Sequence, residues 1–329
     1  MTRVLVTGAG GFIGHHLVSR LKSRGAWVRG VDVKRPEYAS SDADDFLLLD
    51  LRDAEAARVA AAGVDEVYAL AADMGGMGYI SANHARILHD NSLINLNTLE
   101  AARHAGVRRY LYTSSACVYP EFKQTDAAVT PLREEDAYPA QPQDAYGWEK
   151  LISERLCTHY REDYGIDTRI VRFHNIFGPL GTWDGGREKA PAAMCRKVAM
   201  AKLTGATEIE IWGDGEQTRS FCYIDDCLDG LMRLMESTYH APLNLGQDRL
   251  VTINQLADIV CAIARVSLVK RHVPGPQGVR GRNSDNSRLR QVLGWEPRIA
   301  LEDGLARTYE WIEAQVARQL MSAPSSSAS

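Results

Sequence analysis

Short apolar runs alternate with longer segments of helical spacing over the first half of the chain. The runs predict strands at 3–7, 27–31, 46–49, 64–71, 110–114 and 169–172. Helical spacing follows at 15–21, 87–105 and 144–164. This alternation is typical of an α/β protein in which parallel strands form one sheet with helices on both faces.

The turn between the first predicted strand and the first helix is rich in glycine, with Gly8, Gly11 and Gly14 three residues apart. Strand, glycine turn and helix are the context of a dinucleotide-binding fingerprint. Its glycines permit a tight bend, close approach of the pyrophosphate and close packing of helix on strand. Amide groups at the helix N-terminus, where Phe12 and Ile13 lie, face the phosphates in such a site. The sequence therefore predicts a dinucleotide-binding Rossmann fold.

An acidic residue, Asp32, ends the second predicted strand. A carboxylate at this position accepts hydrogen bonds from the adenosine ribose and repels a 2′-phosphate, so NAD is favoured over NADP. Lys34 and Arg35 follow closely, and their charges leave this preference open. Asp50 and Leu51 close the third strand, where we expect them to flank the adenine.

Tyr146 and Lys150 lie four residues apart in a predicted helix, on one face and one turn apart. A free tyrosine titrates near ~10, so a base that works near neutrality needs a shift of roughly 3 units, about 4 kcal/mol of differential stabilisation. The Lys150 ammonium and the positive ring of a bound nicotinamide can supply it. The pair is a weak signal alone, but here it follows a dinucleotide fingerprint. The predicted cofactor contacts are Gly8, Gly11, Phe12, Ile13, Gly14, Asp32, Asp50, Leu51, Ala71, Tyr146 and Lys150.

Composition and charge limit the partners of the chain. It has 329 residues, 45% hydrophobic and 24% charged, with a net charge of -4, which argues against nucleic acid or an anionic membrane as the main partner. Six cysteines are scattered without a Cys-x-x-Cys pair, so neither a metal site nor a disulfide framework is indicated. The chain opens directly on a strand, and no apolar run reaches ~18 residues. We therefore expect a soluble, cytoplasmic protein.

The composition changes after residue 172, where glycine- and charge-rich loops begin. Residues 181–191 and 273–282 have no hydrophobic period, whereas a strand is predicted at 208–212 and helices at 252–264 and within 287–312. We predict a doubly wound Rossmann sheet with a smaller, mixed α/β C-terminal substrate domain. The predicted boundaries are 1–174 with return segments at about 214–246 for the NAD-binding domain, 175–213 and 247–318 for the substrate domain, and 319–329 for a disordered tail.

The spaced glycines with Tyr146 and Lys150 resemble the extended short-chain dehydrogenase/reductases, also called the NAD-dependent epimerase/dehydratase family, whose members remodel nucleotide sugars. The resemblance covers residues 1 to about 315. Five loop stretches are similar to those of the GDP-mannose 3,5-epimerases within this family, and similarity in loops is specific because folding alone does not demand it. These stretches are Ala72-Asp-Met-Gly-Gly-Met-Gly78, Ser115-Ala-Cys-Val-Tyr-Pro-Glu-Phe-Lys-Gln124, Gly181-Thr-Trp-Asp-Gly-Gly-Arg-Glu-Lys-Ala-Pro191, Trp212-Gly-Asp-Gly-Glu-Gln-Thr-Arg-Ser-Phe221 and Gly278-Val-Arg-Gly-Arg-Asn-Ser-Asp285.

The resemblance implies oxidation of carbon 4 of GDP-D-mannose by NAD, inversion at carbons 5 and 3, and re-reduction to GDP-L-galactose or GDP-L-gulose. A ketone at carbon 4 acidifies the neighbouring protons because the carbanions are enolates, and inversion then needs acid–base groups on both faces of the ring. The family assigns this work to Cys117 and Lys189, whose thiol and amine are tunable toward neutrality. Tyr146 is the expected base for the carbon-4 hydroxyl, Ser115 holds that oxygen, and Lys150 bonds the nicotinamide ribose.

The resemblance also places the basic residues. Arg219 and one or both of Arg280 and Arg282 are expected to clamp the diphosphate, because guanidinium groups suit phosphate oxygens. A homodimer is implied through helices near 90–105 and 146–163, although their apolar positions are equally compatible with an internal core. The predicted substrate contacts are Met74, Gly75, Gly76, Asn175, Glu188, Lys189, Arg219, Arg280 and Arg282.

Two other functions remain open. One is a 4-epimerase or 4,6-dehydratase of the same fold. A dehydratase of this family typically carries Thr-Asp-Glu where this chain has Ser115-Ala-Cys117, and a 4-epimerase needs no Cys–Lys pair. The other is a non-catalytic NAD-sensing protein, which is expected to have lost Tyr146 or Lys150. Both residues are present here, which favours an enzyme.

Overall fold

The computed structural model describes residues 1–275 and 278–322. The helices in these ranges are α1 (Phe12–Ser23), α2 (Ala54–Ala61), α3 (Met77–Ala82), α4 (His84–His104), α5 (Ala145–Tyr164), α6 (Ala190–Thr204), α7 (Ile224–Glu236), α8 (Ile253–Ala264), α9 (Ser287–Leu293) and α10 (Leu301–Ser322). The strands are β1 (Arg3–Thr7), β2 (Trp27–Asp32), β3 (Asp45–Leu48), β4 (Glu66–Ala69), β5 (Arg109–Ser115), β6 (Asp167–Phe173), β7 (Ile176–Phe177), β8 (Glu208–Trp212), β9 (Thr218–Arg219), β10 (Cys222–Tyr223), β11 (Pro242–Leu245), β12 (Val251–Thr252), β13 (Val269–Val273) and β14 (Gly281–Arg282). Within the same ranges, no helix is long and apolar enough to cross a membrane.

Seven strands form the central sheet in the order β11-β6-β5-β4-β1-β2-β3, and every pair in it is parallel. The chain starts in the middle at β1, runs to one edge through β2 and β3, and returns on the other side of β1 with β4. This reversal is the topological switch point of a doubly wound fold, where the carboxyl ends of the strands leave a crevice for a ligand. The predicted α/β fold with a Rossmann sheet is confirmed.

The apolar run of β1 explains why this strand lies at the centre of the sheet. Val4 and Val6 belong to the hydrophobic core on one face, whereas Leu5 belongs to the core on the other. Alternate side chains of a strand point to opposite faces, so a continuous apolar run is buried on both sides. Helices α1 and α7 cover one face of the sheet, and α2, α4 and α5 cover the other.

The later part of the chain builds smaller sheets around the carboxyl ends of the main one. Strand β8 pairs with β13, β7 pairs with β10, and β9 lies between β12 and β14. Helices α6, α8 and α10 pack against one another beside them. This part is mixed α/β, as predicted. The predicted domain boundaries stay a prediction, although β11, which lies within the predicted return segment 214–246, joins the central sheet.

Sequence reasoning missed several elements in this later part. It did not predict α6, β11, β13 or the short strands β7, β9, β10, β12 and β14, and it extended the loop at 181–191 two residues into α6, which begins at Ala190. It also began the disordered tail too early, because α10 continues to Ser322 and makes residues 319–322 helical. The rest of the predicted tail, 323–329, lies outside the described residues.

Candidate active site

The glycine turn after β1 is packed so closely that side chains are excluded from it. Gly8 has a φ of 70°, in the left-handed region that favours glycine. A Cβ atom on Gly14 would overlap the Gly8 carbonyl, and one on Gly10 would overlap the Lys34 carbonyl. Gly11 caps α1 without a side-chain hydrogen bond. The turn therefore presents bare backbone and the N-terminus of α1, which suits an anionic phosphate.

Asp32 lies at the end of β2, beside this turn. Its carboxylate accepts hydrogen bonds from the Gly10 amide at 2.9 Å and the Lys34 amide at 3.2 Å. Burial raises the pKa of Asp32, and these amides oppose the rise. A small cavity opens between the glycine turn, the residues after Asp32 and the segment 180–182. The lining residues that sequence reasoning missed include Gly10, His15, Pro36, Tyr38, Leu180 and Thr182.

Phe12 and Ile13 occupy the first turn of α1. The Phe12 ring lies against Gly181, where a Cβ atom would stand 3.2 Å from the ring, and Ile13 packs against the hydrophobic core. The Nε2 atom of His16, one turn later, lies 2.9 Å from the Pro179 carbonyl oxygen. The helix that begins at the glycine turn is thus tied directly to the segment that leads to Lys189.

The three residues predicted at the ends of β3 and β4 are placed differently. The Asp50 carboxylate is 2.6 Å from the Arg52 guanidinium, which lowers the pKa of Asp50. Leu51 is 4% exposed and packs in the core. The Ala71 amide donates to the buried Thr7 hydroxyl at 3.1 Å. Sequence reasoning missed Thr7, which fixes the end of β4 beside the glycine turn.

Ser115 ends β5, and the chain then makes a short 3-10 turn that carries Cys117. The Ser115 hydroxyl caps this turn by accepting from the Cys117 amide at 3.2 Å. Asp144 caps α5 by accepting from the Gly147 amide at 2.9 Å. A Cβ atom on Gly147 would overlap the Cys117 carbonyl. This close contact brings the first turn of α5, with Tyr146, against Ser115 and Cys117.

Tyr146 and Lys150 are both buried on α5, at 6% and 2% exposure. The Lys150 amine donates to the Thr113 carbonyl at 3.1 Å and lies 5.5 Å from the centre of the Tyr146 ring. Burial raises the pKa of Tyr146 well above its usual value, the charge of Cys117 adds to the rise, and a hydrogen bond with Ser115 opposes it. That the Lys150 ammonium helps to lower this pKa stays a prediction. The positive ring of a bound nicotinamide remains the other source of stabilisation that the sequence argument named.

Cys117 faces a guanidinium group. The Nη1 atom of Arg282 lies 3.4 Å from the Cys117 sulfur, and its Nε donates to the Gln124 side-chain oxygen at 2.6 Å. Gln124 is buried and donates to the Tyr119 and Pro120 carbonyls, each at 3.1 Å. The fixed Gln124 side chain thus holds the Arg282 guanidinium against the Cys117 thiol.

Arg219 and Arg282 are register partners on the neighbouring strands β9 and β14. Burial and the charge of Arg282 lower the pKa of Arg219 to about 9, and the charge of Cys117 opposes this. Two repelling guanidinium groups favour an anion beside them. Arg280 points elsewhere, because its two terminal nitrogens bond the Asp214 carboxylate at 2.8 and 2.9 Å on the surface. The structure therefore brings Arg282, and not Arg280, to Arg219.

Asn175 follows β6 beside the arginine pair. Its φ is 37°, a left-handed conformation that asparagine tolerates better than most residues. Its side-chain amide donates at 3.0 Å to the carbonyl of Ser220, the residue after Arg219. His174, the residue before Asn175, is fully buried. Its Nδ1 has no hydrogen-bond partner in the described part of the chain, and burial lowers the pKa of His174 to about 3.

Lys189 immediately precedes α6, at its N-cap position, and Pro191 lies in the first turn of the helix. The residue as a whole is exposed. Desolvation lowers the pKa of Lys189, whereas the charges of Cys117 and Cys227 raise it. Cys117 therefore acts electrostatically on Lys189 as well as on Tyr146.

Glu188 is bonded to neighbouring protein groups. Its carboxylate accepts from the Arg196 guanidinium at 2.9 Å and from the Gly186 amide at 2.7 Å. Glu188 thus fixes the loop before Lys189, and its contact with a substrate stays a prediction. Arg187 lies 3.7 Å from the centre of the Tyr79 ring. Neither Glu188 nor Arg187 is among the causes of the Lys189 pKa shift.

The loop of residues 72–78, which we call the sugar loop, lies between Tyr146 and the loop before Lys189. Met74 packs in a small apolar cluster with Tyr146 and Cys117. A Cβ atom on Gly75 would stand 2.9 Å from the Tyr79 Cβ, and one on Gly76 would stand 3.1 Å from the Glu188 carbonyl. The structure thus brings the predicted sugar-contacting and acid–base residues to one cleft.

The profile of the NAD dependent epimerase/dehydratase family matches residues 4–246 of the chain. The chain belongs to this family. Among members of the family, GDP-mannose 3,5-epimerase 1 of Oryza sativa subsp. japonica is 51% identical over 319 residues, which cover 96% of this chain and 83% of that protein. GDP-mannose 3,5-epimerase of Arabidopsis thaliana is 50% identical, with 96% and 84% covered.

Solved structures of epimerases share the fold of this family member. A UDP-glucose 4-epimerase of Thermotoga maritima, solved with UDP-glucose, has a TM-score of 0.83 and 26% identity, with 96% of this chain and 100% of that chain covered. An epimerase of Methanothermobacter thermautotrophicus has a TM-score of 0.85 and 26% identity, with 98% and 95% covered. The enzyme described here is thus an epimerase by family and by fold.

As an NAD-dependent family member, the enzyme should show a place for NAD, and its residues fit one. Close packing at Gly10 and Gly14 keeps side chains out of the glycine turn and leaves its backbone amides bare, and Asp32 stands where the adenosine ribose is expected. Lys150 lies buried beside Tyr146, within the crevice at the carboxyl ends of the strands. Gly8, Gly14, Asp32 and Lys150 would therefore hold the cofactor, which supplies a hydride acceptor for an alcohol carbon.

Proposed function

We propose that this enzyme is a GDP-mannose 3,5-epimerase. It converts GDP-D-mannose to GDP-L-galactose, and it forms GDP-L-gulose where only carbon 5 is inverted. Relatives of that name, each about half identical over nearly the whole chain, support the substrate. The observation that carries the chemistry is the meeting of Cys117, Tyr146 and Lys189 in one cleft beside two arginines.

Each residue then has one task in the proposed reaction. NAD, when bound, would supply a hydride acceptor for carbon 4 that is regenerated when the hydride is returned. Tyr146 takes the proton of the carbon-4 hydroxyl, with Ser115 orienting that oxygen. Cys117 and Lys189 remove and return the protons of carbons 5 and 3 from opposite faces, which general acid–base catalysis requires for inversion. Lys150 orients the nicotinamide ribose.

The diphosphate is proposed to lie against Arg219 and Arg282. Their guanidinium groups sit in register, and the depressed pKa of Arg219 reflects a buried cation with a cationic neighbour. A diphosphate relieves that repulsion and accepts charge-assisted hydrogen bonds. Because Arg282 also touches Cys117, the same guanidinium would connect the diphosphate to the reacting end of the sugar.

A 4-epimerase or a 4,6-dehydratase is disfavoured by the same cleft. A 4-epimerase has no use for a thiol and an amine in addition to Tyr146. A dehydratase needs a carboxylic acid to protonate its leaving hydroxyl, and Cys117 stands where the family would carry one. The proposed assignment therefore rests on the Cys117–Lys189 pair.

The decisive experiment is incubation of the purified enzyme with GDP-D-mannose in heavy water, without added NAD. We expect deuterium at carbon 5, with or without carbon 3, in L-configured products detected by proton NMR and mass spectrometry. The number of deuterium atoms separates single from double inversion. A sugar that stays unlabelled, while another nucleotide sugar reacts, would leave the family assignment intact and reject the substrate.

We also propose that the enzyme is a homodimer formed through α4 and α5. Large apolar side chains remain exposed on both helices, with Leu96 at 44% on α4, and Trp148 at 41% and Ile152 at 59% on α5. The two helices pack side by side, so these residues can form a continuous apolar face. Apolar faces of this kind mark protein–protein contacts.

A further inference from the structure

Glu149 is a buried carboxylate to which the proposed mechanism gives no task. It follows Tyr146 by three residues, precedes Lys150 and is 1% exposed. In the described part of the chain, no lysine, arginine or histidine lies within ion-pair distance of it. Its hydrogen-bond partners are neutral donors, namely Asn91 at 3.3 Å, Asn95, Tyr112 at 3.2 Å and Ser153 at 3.5 Å.

Asn91 connects this carboxylate to the sugar loop. It is fully buried in α4, and its amide nitrogen donates both to Glu149 and to the Asp73 carbonyl, the latter at 3.1 Å. Its amide oxygen accepts from the Asp73 backbone N–H at 2.6 Å. The Asn91 side chain thus bonds both the N–H and the carbonyl of Asp73, in the way that a neighbouring strand would.

The chemistry of the carboxylate decides which way the Asn91 amide faces. A side-chain oxygen of Glu149 accepts the hydrogen bond from Asn91, so Glu149 favours the Asn91 orientation in which the nitrogen points toward it. In that orientation the Asn91 oxygen faces the Asp73 N–H and the nitrogen faces the Asp73 carbonyl. The reversed amide would place donor against donor and acceptor against acceptor, which is costly for buried groups.

Asp73 in turn immediately precedes Met74, Gly75 and Gly76. Its carboxylate accepts from the Tyr79 hydroxyl at 2.7 Å and lies 3.7 Å from the Arg187 guanidinium, two residues before Lys189. The Asp73 backbone is therefore the point at which α4, the sugar loop and the loop before Lys189 meet.

We propose that Glu149 is a positioning residue for the sugar loop and that it acts by orienting Asn91. Only the expected effect on KM rests on the proposed function, whereas the effect on the position of the loop does not. The carboxylate stays fixed on the same helix as Tyr146 and Lys150, so the sugar loop is set in position relative to the base that starts the reaction.

The test uses hydrogen–deuterium exchange of the whole enzyme, with three variants. Glu149→Gln keeps the size of the side chain but adds donors, and Asn91→Ala removes the two-point hold on Asp73. Tyr112→Phe is the matched control, because it removes another hydrogen bond to Glu149 while its ring stays beside Lys150. We expect the amides of residues 72–78 to exchange about tenfold faster in the first two variants and at the unchanged rate in the control.

Kinetics supply the second measurement. For Glu149→Gln and Asn91→Ala we expect KM for GDP-D-mannose to rise about tenfold, with NAD affinity within a factor of about two of the parent enzyme. Unchanged exchange in the sugar loop of Glu149→Gln would overturn the proposal, whatever the activity. An equal increase in exchange in all three variants, or throughout the chain, would also overturn it, because it would mean general loosening. If the parent enzyme does not turn over GDP-D-mannose, the proposed function fails and the exchange result still decides the role of Glu149.

Discussion

Arg280 and Arg282 are two residues apart, but their guanidinium groups lie in different surroundings. Arg282 lies against Cys117 and Gln124, whereas Arg280 pairs with Asp214 on the surface. We expect Arg282→Gln to weaken GDP binding by a factor of about 10 to 100, because a hydrogen bond to a charged group contributes about 1.5–3 kcal/mol. Isothermal titration calorimetry with GDP measures this without catalysis.

The control for that experiment is Arg280→Gln. An exposed ion pair contributes about 0–1 kcal/mol, so this variant should bind GDP within a few-fold of the parent enzyme. Equal losses for both variants would remove the distinction between the two arginines.

Cys117 and Lys189 are both proposed as acid–base groups, although one is a thiol and the other an amine. In Cys117→Ala and in Lys189→Met, we expect deuterium uptake at carbons 5 and 3 to fall by about 10²–10⁴, the usual contribution of one acid–base group. NAD affinity should stay unchanged, because neither residue belongs to the glycine turn. Proton NMR in heavy water and titration with NAD measure the two properties, and full exchange in either variant would reject its role.

His174 makes the stability of the protein depend on pH. Burial lowers its folded pKa to about 3, below the usual 6.5, so the unfolded chain takes up a proton below pH 6.5 that the folded chain does not. Stability is therefore lost as pH falls through this window, by up to about 1.4 kcal/mol per pH unit.

The matching variant is His174→Gln, whose amide can still donate to the Asn244 oxygen that now lies 3.0 Å from the histidine Nε2. Between pH 7 and pH 5, the parent should lose about 2 kcal/mol more than this variant in urea unfolding. His159→Gln, on the exposed side of α5, serves as control. The same acid loss in parent and His174→Gln would contradict the assignment.

At the level of single residues, the sequence predicted most of the side chains that meet in the cleft. What the sequence did not predict has physical causes. Tyr146 and Lys150 were found from their spacing on one helix behind a dinucleotide fingerprint, whereas Ser115 and Cys117 were assigned from the family resemblance. The protein partners of Glu188 were not predicted because a sequence does not tell which way a loop carboxylate turns, and Arg196, its partner, lies in a helix that was not predicted.

The glycine turn between β1 and α1 leaves no room for side chains. A Cβ atom on Gly14 would overlap the backbone of Gly8, which cannot move without shifting β1 or α1. We expect Gly14→Ala to lower NAD affinity at least about tenfold and to destabilise the fold by about 1–3 kcal/mol. NAD titration and thermal unfolding measure both effects.

A useful comparison is Gly63→Ala, at a glycine whose φ is 69° and whose Cβ position is open. It should lose stability through backbone strain, of the order of 1 kcal/mol, and keep its NAD affinity. A loss of affinity equal to that of Gly14→Ala would mean that the turn is not the binding element.

Helices with clear capping residues were predicted well. Helix α5 begins after Asp144, which caps it, and ends at Gly165, whose φ is 73°. Helix α6 was missed because it begins directly after a charged, glycine-rich loop and its first residue has no side-chain cap. Strand β13 was missed because it pairs only with β8 and its residues are largely exposed, so it has no continuous apolar run.

The whole molecule is expected to pair through α4 and α5. Ile152→Glu places a charge in the centre of the exposed apolar face, and burying an unpaired charge is costly. Analytical ultracentrifugation should therefore show a monomer for this variant and a dimer for the parent. Val269→Glu, on an exposed edge strand, should leave the assembly unchanged, and a monomeric parent would reject the dimer.

The last strand of the central sheet has a consequence for how the protein is made. Strand β11 pairs with β6, but the chain from 174 to 241 separates them. During synthesis from the N-terminus, β6 therefore stays an open edge with unpaired backbone groups until residue 245 has left the ribosome. Open edges of this kind recruit other strands. A nascent chain that stalls before residue 242 is consequently the form of this enzyme most in need of a chaperone.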